Sequence, residues 1–245
     1  MRKNIMGVYF HNVDMTQAVN IAMTAVRDKT TCRVVTPNAE IGMLCKRDDT
    51  LRRVVNESGL VLPDGIGVVY AAKILGTPLK GKVAGVEFAD HLAAALAAEG
   101  RSLYLFGGKP GVAEEAAAKL LEKHPGLRIA GIRDGYFKQE EEPAIVSAIR
   151  DSGADALFVC LGAPKQELWM DKWQSELRIP VTAGLGGSLD VISGQVKRAP
   201  DIFIKLGLEW FYRLLTQPKR FFRMLRLPVY LLDAVIYKLK GGDRT

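Results

Sequence analysis

The 245-residue chain has only three cysteines, Cys32, Cys45 and Cys160, far apart and with no C-x-x-C pair. That spacing excludes a disulfide framework and a thiolate zinc site, and it points to a reducing compartment. Its three histidines are equally scattered, with no H-E-x-x-H spacing, so no histidine metal centre is expected. No uninterrupted apolar run approaches the roughly 18 to 20 residues that cross a bilayer. The N-terminal MRKNIMGVYFHNVD is basic at its start, but its apolar run is too short and broken for a signal peptide. A cytoplasmic protein is therefore expected, with any membrane contact peripheral. Repeats of 20 to 50 residues and low-complexity tracts are missing, as are the D-x-D of metal-dependent sugar transfer and the G-x-G-x-x-G of dinucleotide binding.

What is present is an ordinary globular composition, 48% hydrophobic and 25% charged, enough for a sizeable core. The net charge of +7 is local. Residues 197–245 hold 11 Lys and Arg against 4 Asp and Glu, so the first 196 residues are neutral overall. The same stretch carries 8 of the 19 aromatic residues. A division into a core, 1–196, and a basic, aromatic appendage, 197–245, is expected.

Along the core, apolar runs of strand type alternate with helical patterns. CRVVT (32–36), LVL (60–62), SLYLF (102–106), LRIAG (127–131), ALFVCL (156–161) and PVTAG (180–184) read as strands. Helices are expected at 14–27, 88–98, 112–123 and 143–150. The first opens on an Asp cap and places Ala18, Ile21, Ala22 and Ala25 at helical spacing. The alternation predicts an α/β, Rossmann-like fold: a mostly parallel sheet with helices on both faces, plus a C-terminal amphipathic helical appendage. Ligands of such sheets bind beyond the carboxyl ends of the strands. Thr36-Pro37-Asn38, Pro63-Asp64-Gly65, Gly107-Gly108-Lys109-Pro110-Gly111, Gly162 to Glu167 and Gly184 to Ser188 all fall there.

Each of these turns has a plain reading beside a chemical one. Gly107 and Gly108 serve either a phosphate cradle or a tight strand-to-helix turn. Gln166 and Glu167 either open a helix or hydrogen-bond a sugar or base. Asp64 is either the N-cap of the helix that follows, with Ile66, Val69, Tyr70 and Ile74 as its apolar residues, or a general base. In the tail, Arg213, Lys219, Arg220, Arg223 and Arg226 interleave with Trp210, Phe211, Phe221 and Phe222. That mixture fits an interfacial helix on anionic lipid. A packing element and a nucleic-acid surface are the rivals, and no nucleic-acid motif is present.

Taken in order, TPNAE (36–40), PDGIG (63–67), LFGG (105–108), GAPKQE (162–167), GGSLDVISG (186–194), RAP (198–200) and GLEWFYRL (207–214) resemble the WecG/TagA/CpsF glycosyltransferases of bacterial surface-polysaccharide synthesis. The resemblance runs from about residue 8 to 227. It implies an inverting transferase, independent of metal and of other cofactors, that moves N-acetylmannosamine from a UDP donor to undecaprenyl-diphosphate-linked N-acetylglucosamine, the linkage-unit step of wall teichoic acid. By position it makes Asp64 the catalytic base. Thr36 and Asn38 then line the sugar site, Gln166 and Glu167 contact the donor, and Lys82 meets a diphosphate. It sets Arg213, Arg220 and Arg223 at the lipid diphosphate, with Lys219 and Arg226 in the same basic group, on the inner face of the membrane. A homo-oligomer is possible and nucleic acid is not expected. Lys82 and Glu87 stand where the family pattern has Arg and Asp, and Lys lacks the bidentate fork of Arg. The alternatives are an N-acetylmannosaminuronic acid or other hexose donor, a nucleotide-binding oxidoreductase, and a non-catalytic membrane adaptor.

Overall fold

The computed structural model describes residues 1–196, 199–200, 203, 211–212 and 226–242. All six expected strands form one parallel sheet. β3 (Cys32–Val35), β4 (Leu60–Val61), β5 (Ser102–Gly107), β6 (Arg128–Arg133), β7 (Ala156–Cys160) and β8 (Val181–Gly184) lie in the order β4-β3-β8-β7-β5-β6. The inner strands β3, β8, β7 and β5 are buried at every position. Two-sided burial is why they read as continuous apolar runs rather than as alternation.

A hairpin precedes the sheet and was not expected from the sequence. β1 (Arg2–Ile5) pairs antiparallel with β2 (Val8–His11) across Met6-Gly7, whose φ angles are 52° and 87°. Two positive φ values at a two-residue turn give the twist that a hairpin needs. The hairpin is fastened to β4 by the Val61 amide, which donates to His11 Nδ1 at 2.9 Å.

Helices cover both faces. One face carries α1 (Met15–Asp28), α5 (Gly85–Ala98), α6 (Val112–Lys123) and α9 (Ser188–Ile192). The other carries α2 (Ala39–Arg47), α3 (Asp49–Asn56), α4 (Ile66–Ile74), α7 (Glu142–Asp151), α8 (Lys165–Leu177) and α10 (Arg226–Leu239). Asp14 caps α1 as its sequence predicts, accepting from the Gln17 amide at 2.9 Å while Gln17 Oε1 accepts from the Asp14 amide. Ile21, expected inside, lies on the exposed flank; Val19, Met23 and Val26 fill the core instead. Tyr70 likewise faces outward from α4.

The helix that leaves β3 packs on one face, and the helix that leaves β8, its neighbour, packs on the other. Such a reversal opens a crevice at the carboxyl ends of the two strands. α10 docks beside that edge. Its Tyr230 is 2% exposed and lies against Gly42 of α2, where a Cβ would come within 2.8 Å of the ring. Arg226 meets Glu40 at 2.6 Å, and Asp233 meets Lys46 at 2.9 Å. The last helix thus packs into the core on the face that carries α2 and α4.

Candidate active site

The ladder between β3 and β4 continues past the strands into their turns. The Leu62 amide donates to Val35 O at 2.9 Å and the Asp64 amide to Pro37 O at 3.2 Å. This sets Thr36-Pro37-Asn38 beside Pro63-Asp64-Gly65. Asn38 Oδ1 accepts from the Ile41 amide at 3.1 Å, so this side chain caps α2. The cap position of α4 is Gly65, at φ 86° and with no side-chain cap bond. The N-cap position of α4 thus falls on Gly65, one residue after the Asp64 that the plain reading put there. Asp64 is half-buried in the turn after β4, two residues before α4 begins. The N-termini of α2 and α4 lie side by side, since a Cβ on Gly65 would be 3.8 Å from Asn38 Cβ. Paired helix N-termini offer N–H groups and positive potential to an anionic ligand.

Lys82 reaches the same turn through the main chain. The next residue, Val83, donates its amide to Pro63 O at 2.9 Å. Lys82 and Glu87 are half-buried on either side of the start of α5. Thr36 is buried beneath that start, and its hydroxyl donates to Gly184 O at 2.9 Å across the β3–β8 crevice. Its oxygen would lie 3.3 Å from a Cβ on Gly85.

Gln166 and Glu167 are 1% and 0% exposed. Gln166 Nε2 donates to Glu167 Oε1 at 2.8 Å, and Gln166 Oε1 accepts from the Gly186 amide at 2.9 Å. Both ends of the carboxamide are thus engaged within the protein, beneath the turn after β8. Glu167 Oε2 has no hydrogen-bond partner among the described residues. Burial pushes the Glu167 carboxyl above the usual carboxylate range.

The two glycines after β5 have a packing role. Gly107, at φ 128°, approaches β7 so closely that a Cβ would lie 2.3 Å from Cys160 O. Gly108 donates to the same carbonyl at 3.1 Å and accepts from the Gly135 amide at 2.9 Å. Only glycine fits the first of these positions. The first turn of α6 carries Glu114 and Glu115, which does not favour an anion there.

The Gly108–Gly135 bond brings in a residue that the sequence reading passed over. Tyr136 stands 64% exposed on the turn after β6, its amide held by Asp134 Oδ1 at 2.8 Å. Phe137 beside it packs on Phe106, with Lys165 Nζ 4.0 Å above its ring. An aromatic following Asp134-Gly135 at a strand end was the available signal.

Of the basic tail residues, Arg213, Lys219, Arg220 and Arg223 lie outside the described residues. Arg226 is placed, paired with Glu40 in the first turn of α2. Among the described residues no helix is long and apolar enough to cross a membrane, and no three His, Cys, Asp or Glu side chains are grouped to hold a metal ion. The three cysteines are free and buried.

A parallel sheet with Asp64, Lys82 and paired helix N-termini near its carboxyl edge offers a base and positive potential to an anionic ligand. The Glycosyl transferase WecG/TagA/CpsF family model matches residues 3–244, and the chain belongs to that family. Among its relatives is the N-acetylglucosaminyldiphosphoundecaprenol N-acetyl-beta-D-mannosaminyltransferase of Bacillus spizizenii (strain ATCC 23059 / NRRL B-14472 / W23). It is 39% identical over 198 residues, 81% of this chain and 76% of the relative. The protein of the same name from Bacillus subtilis (strain 168) is 36% identical over 202 residues, 82% of this chain and 78% of the relative.

Proposed function

We propose that this chain transfers N-acetylmannosamine from UDP-N-acetylmannosamine to N-acetylglucosaminyl-diphospho-undecaprenol, with inversion and without a metal, on the way to wall teichoic acid. The observation that carries this reading is the 39% identity, over four-fifths of the chain, to a transferase named for that acceptor and that sugar. In the reaction an acceptor hydroxyl oxygen attacks the anomeric carbon of the donor as Asp64 takes its proton. The bond from that carbon to the β-phosphate oxygen breaks, and its electron pair leaves with UDP. A positioned general base contributes typically 10²–10⁴-fold. Lys82 and the N-termini of α2 and α4 meet the charge of the departing diphosphate, while Arg213, Lys219, Arg220 and Arg223 meet the diphosphate of the lipid acceptor at the membrane. Thr36 and Asn38 shape the sugar pocket mainly by holding the crevice and capping α2. The exposed ring of Tyr136 suits the uracil of the donor as a stacking face.

Action at the cytoplasmic face of the membrane is part of the proposal. Support comes from α10, where Val229, Leu232, Ile236 and Leu239 form an exposed apolar stripe at helical spacing, with Lys238 and Lys240 beside it. An apolar face flanked by cations suits entry into anionic headgroups.

The test is a donor panel of UDP-N-acetylmannosamine, UDP-N-acetylmannosaminuronic acid and UDP-N-acetylglucosamine, with a soluble GlcNAc-diphospholipid and EDTA present. Transfer from the first alone, undiminished by EDTA, is expected. Preference for the uronic acid donor would overturn the sugar assignment, and loss of transfer in EDTA would overturn metal independence.

A further inference from the structure

We infer that Glu167 is a positioning residue: it fixes the rotamer of Gln166, and through Gln166 it holds the turn after β8 that walls the crevice. The kinetic part of the test below rests on the transferase reading, whereas its spectroscopic part does not.

A carboxamide has two nearly isosteric orientations, related by a half-turn, and its surroundings decide between them. Gly186 presents an N–H, so it requires the Gln166 oxygen. The other end of the amide must then find an acceptor, and Glu167 Oε1 supplies it at 2.8 Å. Turning the amide over would set N–H against N–H at Gly186 and oxygen against oxygen at Glu167. The carboxyl therefore excludes the wrong orientation. Fit reinforces this, because a Cβ on Gly184 would lie 3.1 Å from Gln166 Nε2, so the amide is packed against the end of β8.

Within that turn Leu185 is anchored separately, its amide donating to Val159 O at 3.0 Å and its carbonyl accepting from Ser188. Among the described residues, Gly186 itself is held by the Gln166 bond. Gly186 adopts φ 56°, a conformation that glycine enters without penalty and also leaves without penalty. Its neighbour Gly184 receives the Thr36 hydroxyl from across the crevice. The Gln166–Glu167 pair thus ties α8 to the same few residues that Thr36 ties to β3. A fully buried carboxyl with one oxygen unpartnered among the described residues is an expensive way to fill space. It is explained by the hydrogen bond that its other oxygen accepts. That bond needs only an acceptor oxygen, which a neutral carboxyl or a carboxamide also has.

Glu167→Gln and Glu167→Leu separate this role from the others. Gln keeps an acceptor for Gln166 Nε2, while Leu keeps the volume and removes it. In the full chain, the Gly186 amide is expected to keep its wild-type shift and exchange protection in Glu167→Gln. In Glu167→Leu it should exchange about tenfold faster or more, with the β8 amides unchanged. Kinetically, Leu should raise the donor KM about tenfold with the acceptor KM unmoved, and Gln should restore it. If Glu167→Gln is as impaired as Glu167→Leu, the carboxyl acts on substrate directly and the positioning role is wrong. Unchanged Gly186 exchange in Glu167→Leu would also overturn it. Absence of any transfer by the wild-type chain refutes the transferase reading and leaves the exchange result to decide this one.

Discussion

Tyr230 gives the sharpest stability test of how the C-terminal helix joins the core. Its ring is 2% exposed against α2, yet its hydroxyl has no hydrogen-bond partner among the described residues. An unsatisfied buried polar group costs about 1–3 kcal/mol. Tyr230→Phe removes that group and keeps the ring, so it should stabilise by about 1 kcal/mol. For a chain of this size that raises Tm by roughly 2–4 °C. Tyr230→Ala removes the ring as well and should cost about 3–5 kcal/mol, the range for large aromatic truncations. Gly42→Ala places a methyl 2.8 Å from the ring and 3.0 Å from the hydroxyl oxygen, and overpacking of that kind costs about 1–3 kcal/mol. Because the clash is with Tyr230 itself, that cost should largely vanish in the Tyr230→Ala background, giving a non-additive cycle. Thermal and urea unfolding of the four single and double variants supply the numbers. A Phe variant less stable than wild type, or a Gly42→Ala cost equal in both backgrounds, would refute this account of the docking.

Three further outcomes are expected. His11 is pushed down to about 4, by burial first and then by the Arg2 charge. The unfolded chain therefore binds the proton more readily than the folded one. The stability that His11 contributes is complete above about pH 6.5 and is lost as pH falls towards 4. Tm should drop across that window, and a His11→Gln variant should show a shallower drop; equal slopes would discount His11. Tyr136→Ala should raise the donor KM about 5- to 150-fold, the equivalent of the 1–3 kcal/mol of a base–aromatic stack, and Tyr136→Phe should not. On the outer face of α10, Leu232→Glu with Leu239→Glu should reduce co-sedimentation with anionic liposomes while Tm holds; unaltered sedimentation would remove that face from membrane binding.

Most of the fold was legible because the inner strands are buried on both faces and bounded by turn residues. SLYLF and ALFVCL needed no partner to be recognised, and they became β5 and β7. The hairpin escaped because its strands are four residues long and its turn uses Met6, which is not a turn-forming residue. α2 escaped for a related reason. Asn38 was weighed as a sugar ligand, so its capping signal before AEIGMLCKR went unused.

The edge of the sheet was legible as a place but not in its detail. The turns after β3, β4, β5, β7 and β8 do rise together, since every strand pair in the sheet is parallel. Which side chains face the crevice is a matter of packing that residue type does not encode. Gln166 and Glu167 are polar and at a helix start, the usual signs of exposure, yet they are among the most buried polar residues of those described. Asp64 shows the reverse. Composition favoured a cap, and a one-residue offset in the helix start gave that position to Gly65.

The central claim is that a carboxylate at this edge activates the acceptor. Product formation from UDP-N-acetylmannosamine and a GlcNAc-diphospholipid should be measured for the wild-type chain and Asp64→Asn, with circular dichroism confirming that both are folded. Asn keeps the shape and one acceptor oxygen but cannot take the proton. The account predicts a rate lower by about 10²-fold or more, with donor KM little changed. Turnover within a few-fold of wild type would contradict it.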